Sequence, residues 1–149
     1  MHWFNKSFSA LSSFELYQIL KLRINVFMLE QQCFYPDCDD KDLKADHLFA
    51  MDNDLVVAYV RLLPADVSYP NCTSIGRVVV HQDYRQLKLG KVLMNKAIQA
   101  LLNKYPQQVI RISAQEYLLN FYTSLGFVQE SEMYLEDDIP HIEMAYYPS

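Results

Sequence analysis

The sequence predicts an α+β fold in which one mixed sheet carries helices on both faces. Three observations predict it. Hydrophobic residues make up 51% of 149 residues, enough for one compact core. Apolar residues repeat at helical spacing in some segments and gather in β-branched runs in others. Strands and helices follow one another without strict alternation, which favours α+β.

The chain reads as a single domain over residues 1–149, since no repeat, low-complexity tract or linker interrupts it. His2 to Phe8 suits a first strand. Ser12 and Glu15 have the spacing of a capping box, and Leu16, Ile19, Leu20, Ile24 and Phe27 continue as a helix to about Leu29. An irregular acidic segment covers Gln31 to Asp46. His47 to Met51 and Leu55 to Leu63 form a strand pair around Asp52-Asn53-Asp54, and Pro64 to Asn71 is a loop.

Ser74 to Val80 is a strand that runs through His81-Gln82-Asp83-Tyr84 into a helix over Lys88 to Lys104. That helix should bury Leu89, Val92, Leu93, Ala97, Ala100 and Leu101 on one stripe. Val109 to Ser113 is a strand, Glu116 to Ser124 a short helix stopped by Gly126, and Phe127 to Tyr134 and Ile142 to Tyr147 the last strands. Asp137-Asp138-Ile139-Pro140 turns between those two. With only three glycines in the chain, each is informative about backbone geometry.

Several classes are disfavoured. No apolar run approaches the ~20 residues of a membrane span, and Met1 to Lys6 lacks the features of a signal peptide. Cys33, Cys38 and Cys72 are irregularly spaced, which fits free thiols in a reducing cytoplasm rather than a disulfide framework or a metal site. The net charge of −5 argues against nucleic acid as the main partner. GxxxxGK followed by Ser or Thr is absent, as is GxGxxG, so a nucleotide triphosphatase or dinucleotide-binding fold is not indicated.

The charge distribution is more informative than its total. No Asp or Glu occurs from Tyr84 to Gln115, while Arg85, Lys88, Lys91, Lys96, Lys104 and Arg111 all fall there. Either a solvated basic face or an anion site explains this. A strand running through a tight loop into a helix start favours the anion site: unpaired amides and the positive end of the helix dipole meet there, and Gly90 permits close approach.

Arg85-Gln86-Leu87-Lys88-Leu89-Gly90 resembles the coenzyme A loop Q/R-x-x-G-x-G/A of the GNAT N-acetyltransferase superfamily, with Lys88 in place of the first glycine. Asn120-Phe121-Tyr122, followed by Gly126-Phe127, resembles the same family's second signature. Arg23 to Gln31, Gly76 to Val80, Ala114-Gln115 and Ile139 to Met144 are similar to the ElaA-like branch, and this likeness covers nearly the whole chain.

The resemblance implies a mostly antiparallel acyl-CoA N-acyltransferase sheet and an acetyl-CoA-dependent N-acetyltransferase. Acetyl-CoA would be the cosubstrate, with no metal, and a primary amine of a small molecule or peptide the acceptor. Cofactor contacts would come from Val78, Val80, Arg85, Gln86, Leu87, Lys88, Leu89, Gly90, Lys91 and Asn120. Tyr122 would be the general acid, since a phenol of pKa ~10 stays protonated at neutral pH and a thiolate of pKa ~8.5 accepts its proton. A non-catalytic acyl-CoA sensor or interaction domain of the same fold is the alternative.

Glu30, Glu116 and His141 are ionisable groups that could take the amine's proton, Glu30 by its place at the end of the first helix and His141 beside a turn. Arg77 could bind an acceptor carboxylate or pair across the sheet. The acidic run Asp37 to Asp46 could draw a cationic acceptor or be a solvated loop. The expected setting is cytoplasmic, without membrane or nucleic-acid partners, and a homodimer is left open.

Overall fold

The computed structural model describes all residues, Met1–Ser149. Its core is an eight-stranded sheet: β1 (His2–Ser7), β2 (Asp46–Asp52), β3 (Leu55–Leu63), β4 (Cys72–Val80), β5 (Val109–Gln115), β6 (Val128–Gln129), β7 (Tyr134–Glu136) and β8 (Ile139–Tyr146). The order is β1-β2-β3-β4-β5-β8-β6, with β7 also on β8. Every pairing is antiparallel except β4 with β5.

Helix α1 (Ser13–Arg23) begins at the expected capping box: the Ser12 hydroxyl accepts from the Glu15 amide (3.0 Å) and Glu15 accepts from the Ser12 amide (2.8 Å). It runs on into a wider π-helical turn, Ile24–Glu30. Helix α2 (Leu89–Lys104) lies on the other side of the sheet. Alternation along the strands shows this directly. Phe49 and Tyr59 pack with Ile19, Leu22, Val26 and Phe27, while Leu48, Ala50 and Ala58 pack with Leu93, Met94 and Ala97.

Local expectations needed correction: the last strand starts at Ile139 rather than Ile142, so the turn before it is Asp137-Asp138 alone. The buried stripe of α2 includes Met94 and Ile98, whereas Val92 is exposed, so the helix is rotated from the stripe drawn on sequence. The strand expected over Phe127 to Tyr134 is two short ones, β6 and β7. Between them the chain leaves the ladder, and the Ser131 hydroxyl takes the Glu143 amide (2.9 Å).

The third helix, α3 (Leu119–Ser124), ends at Gly126, where φ is +105°. A Cβ there would stand 2.9 Å from the Tyr146 ring, so both backbone and space require glycine. The tight exit seats Phe127 edge-on between Tyr122 and Tyr146.

Candidate active site

The parallel pair β4–β5 is joined only from Cys72↔Val109 to Ser74↔Arg111. Beyond Ser74, β4 stays paired with β3 as far as Val80, and β5 stays paired with β8 as far as Gln115↔His141. The two strands therefore splay, and the inner edge of β4 from Ile75 to Val80 has no strand beside it. Val78 and Val80 lie on this free stretch, whose main-chain groups can pair with an extended ligand. Between Gly76 and Val79, β4 carries one residue more than β3 opposite, and Arg77 in that bulge has φ +53°.

After β4 the chain makes a tight turn, Gln82–Leu87, opened by His81 accepting from the Asp83 amide (3.1 Å). Lys88 then adopts φ 54°, ψ 32°, the left-handed conformation that glycine takes most easily, and α2 begins. The lysine thus follows a path open to the glycine it replaces. No side chain caps α2, and Gln86, Leu87, Lys88 and Lys91 are exposed around its first turn, while Leu89 is buried beneath. Free amides at the start of a sixteen-residue helix, flanked by two lysines, fit a pyrophosphate. A Cβ on Gly90 would stand 3.9 Å from the Phe121 ring, so this turn packs on α3 next to Tyr122.

Tyr122 is 7% exposed and lines a cavity of about 490 Å³ that fills the splay. Burial pushes its phenol up to about 12. His141 lines the same cavity from β8, opposite Gln115 at the end of β5. Its Nδ1 lies 2.7 Å from the Ile139 carbonyl, which can only accept, so Nδ1 carries the proton. Nε2 lies 3.4 Å from Glu136 Oε2. The other Glu136 oxygen accepts from Ser113 Oγ at 3.0 Å, and that hydroxyl is 2.5 Å from the Tyr134 hydroxyl. Glu136 and Ser113 were not singled out on sequence. The signal present was the alternation of Tyr134 and Glu136, which puts both on one side of a strand.

Glu30 is not brought to this cavity. It forms a two-pronged ion pair with Arg85, whose Nη2 is 3.0 Å from Glu30 Oε2. That hydrogen bond, more than any other influence, holds the Glu30 carboxyl below its usual range, which makes it a poor proton acceptor. Arg85 also donates from Nε to the Val80 carbonyl (3.2 Å), so its side chain braces the loop. Glu116 and Asn120 are exposed, and neither lines the cavity.

Within the acidic run, Asp37, Asp39 and Asp42 are held by arginines, while Asp40 is exposed and Asp46 pairs with Lys104 (2.9 Å). Arg23, 0% exposed, holds Asp37 (2.8 Å) and Asp42 (2.8 Å). Arg61 reaches Asp39 (2.7 Å) and Asp42 (3.1 Å), and Arg77 reaches Asp39 (3.3 Å). The partners of Arg77 thus come from the loop rather than from across the sheet. No helix is long and apolar enough to cross a membrane, and Cys33, Cys38 and Cys72 are free thiols.

Residues 21–148 match the family model for the acetyltransferase (GNAT) domain. The chain belongs to the GNAT acetyltransferase family. It is 41% identical over 147 residues to the protein ElaA of Escherichia coli K12, covering 97% of this chain and 95% of that one. The crystal structure of E. coli ElaA superposes with a TM-score of 0.91 at 39% identity, covering 97% and 98% of the two chains. An acyl-CoA N-acyltransferase from Pseudomonas aeruginosa superposes with a TM-score of 0.93 at 40% identity over the same shares. An aminoglycoside 6'-N-acetyltransferase complexed with coenzyme A shares the fold alone, with a TM-score of 0.70 at 15% identity over 97% and 96% of the chains. GNAT membership accounts for acyl transfer from coenzyme A as the family chemistry.

Proposed function

We propose that the chain transfers an acetyl group from acetyl-CoA to a primary amine by direct attack in a ternary complex. The observation that carries this reading is the meeting of Tyr122 and His141 in one cavity inside the β4–β5 splay. Val78 and Val80 pair with the pantetheine arm through their main chain. The loop Gln86 to Lys91, with the first turn of α2, takes the pyrophosphate.

The amine nitrogen attacks the thioester carbonyl, a C–N bond forms and the C–S bond breaks. Tyr122 gives its proton to the departing thiolate. The proton lost by the amine goes to His141 Nε2, the ring nitrogen left with a lone pair. Glu136 Oε2, 3.4 Å from Nε2, lies beside the ring that receives the proton. Of the three candidate bases, Glu30, Glu116 and His141, the one to be tested is His141. Arg85 positions the loop from outside, and Asn120 is a secondary contact at the edge of the cofactor path.

The test is a panel of amines with purified protein and acetyl-CoA, read by free-thiol release and by mass of the product. Amine-dependent thiol release with an N-acetylated product supports the reading. Tight acetyl-CoA binding without release for any amine favours a sensor domain.

A further inference from the structure

The cavity has two charged poles, and the bulge of β4 sets one of them. One group is Glu136 with His141, 3.4 Å apart; the other, gathered around Asp39, is Arg77, Arg61 and Lys41. The second group is cationic on balance. Three arginines (Arg23, Arg61 and Arg77) meet three carboxylates (Asp37, Asp39 and Asp42), and Lys41, bonded to Ser68, adds a fourth cation.

Arg77 is held there with donors to spare. Its Nη2 reaches the Asp37 carbonyl (3.1 Å) and Asp39 Oδ2 (3.3 Å), and its guanidinium lies 5.3 Å from the centre of the Tyr35 ring. Nε lies 3.0 Å from Asp37 Oδ1 but out of alignment, so both atoms are left without a hydrogen bond. Nη1 has no protein partner, and the side chain is 19% exposed beside the cavity. Lys41 spends one of its three protons on Ser68 Oγ (2.9 Å). Gly76, just before Arg77, leaves a gap: a Cβ there would meet nothing within 4 Å, and its backbone has no need of glycine.

We infer that Arg77 and Lys41 form a subsite for a carboxylate on the acceptor, so that the acceptor is an amine bearing an acid group on the same small molecule. This rests on the N-acyltransferase reading of the cavity. The amine sits at the His141–Glu136 pole, the carboxylate at the Arg77–Lys41 pole, and the gap over Gly76 lets the body of the molecule pass close to β4. Both poles are satisfied by one zwitterion. A plain diamine would set its second ammonium against Arg77, and a neutral amine would leave the cationic pole unmatched.

The test uses protein saturated with coenzyme A and titrated calorimetrically with glycine, glutamate, lysine and phenylalanine, each beside its α-carboxamide. At least one acid should bind more tightly than its amide by about tenfold, the scale of one charged hydrogen bond. Arg77→Gln should bring that ratio near one, Arg77→Lys should restore part of it, and Lys41→Gln should reduce it in a background whose buried pairs are untouched. No preference for the acid in any matched pair overturns the subsite, and so does a preference that survives both Arg77→Gln and Lys41→Gln. Thiol release is followed in parallel. Acid preference without turnover upholds the subsite and counts against the transferase chemistry; turnover without acid preference does the reverse.

Discussion

Arg85 grips Glu30 with both arms of its guanidinium, tying the loop before α2 to the end of the π-helical turn. The ends of two elements distant in sequence are thereby one mechanical unit. Glu30→Gln should accordingly affect the cofactor side. Both side chains are more than a third exposed, so the pair is worth at most about 1 kcal/mol, or about fivefold. Calorimetry should show coenzyme A binding weakened by about three- to fivefold in Glu30→Gln, with recovery in the swapped double variant Glu30→Arg/Arg85→Glu. An unchanged dissociation constant would mean the brace is idle.

Lys88 provides a test of the loop's path. Its left-handed backbone costs a residue with a Cβ roughly 1 kcal/mol that glycine avoids. In urea unfolding, Lys88→Gly should be more stable than Lys88→Ala by about that amount. Equal stability of the two variants would contradict the conformation.

Gly76 is the position where volume can be added without strain. Gly76→Val should fold with a melting temperature within about 5 °C of wild type, since a Cβ there meets nothing within 4 Å. Coenzyme A affinity should hold, while kcat/KM for a substituted acceptor should fall about tenfold or more through loss of room. A variant that turns over bulky and small acceptors as wild type does would place the acceptor elsewhere.

The buried network sets an acid limit on stability. Burial by itself pushes the Asp39 and Asp42 carboxyls up, and the bonds and charges of Arg61 and Arg23 outweigh it, leaving both below the ordinary value of 3.8. A depressed folded pKa gives stability that is complete above the unfolded value and lost as pH falls through and below it. Unfolding free energy should therefore drop steeply below about pH 4. Arg23→Met should cost about 3–5 kcal/mol, because two carboxylates lose their buried partner. A flat profile to pH 3 would contradict the pairing.

What the sequence makes legible is local. Ser12 and Glu15 announce α1 because a capping box needs only three residues of spacing, and Gly126 marks the stop that seats Tyr122. The β4–loop–α2 unit is legible for the same reason. The relationships that shape the cleft are distant in sequence. Asp42 meets Arg61 and Arg23 at separations of 19 residues, and Glu30 meets Arg85 across 55. Nothing in the spacing of Asp37 to Asp46 distinguishes a solvated acidic loop from one folded over three arginines. Glu136 was hidden because the strand expected over Phe127 to Tyr134 stops short of it, and only the hairpin of β7 on β8 brings it beside His141.

The pH dependence of turnover separates the two proton groups. Burial raises Tyr122 to about 12, and a general acid works only while protonated, so no alkaline decline from this residue should begin below about pH 11. Any loss of rate between pH 8 and 10 that persists in Tyr122→Phe belongs to another group.

Tyr122→Phe in an acetyl-CoA thiol-release assay tests the central claim most directly. Removing one hydroxyl from a buried ring should leave the fold and coenzyme A affinity in place. With an amine that the wild type acetylates, kcat should fall by about a hundredfold or more, the usual scale for losing a general acid. An undiminished kcat across the pH range would contradict the account, because water or another side chain would then be protonating the thiolate.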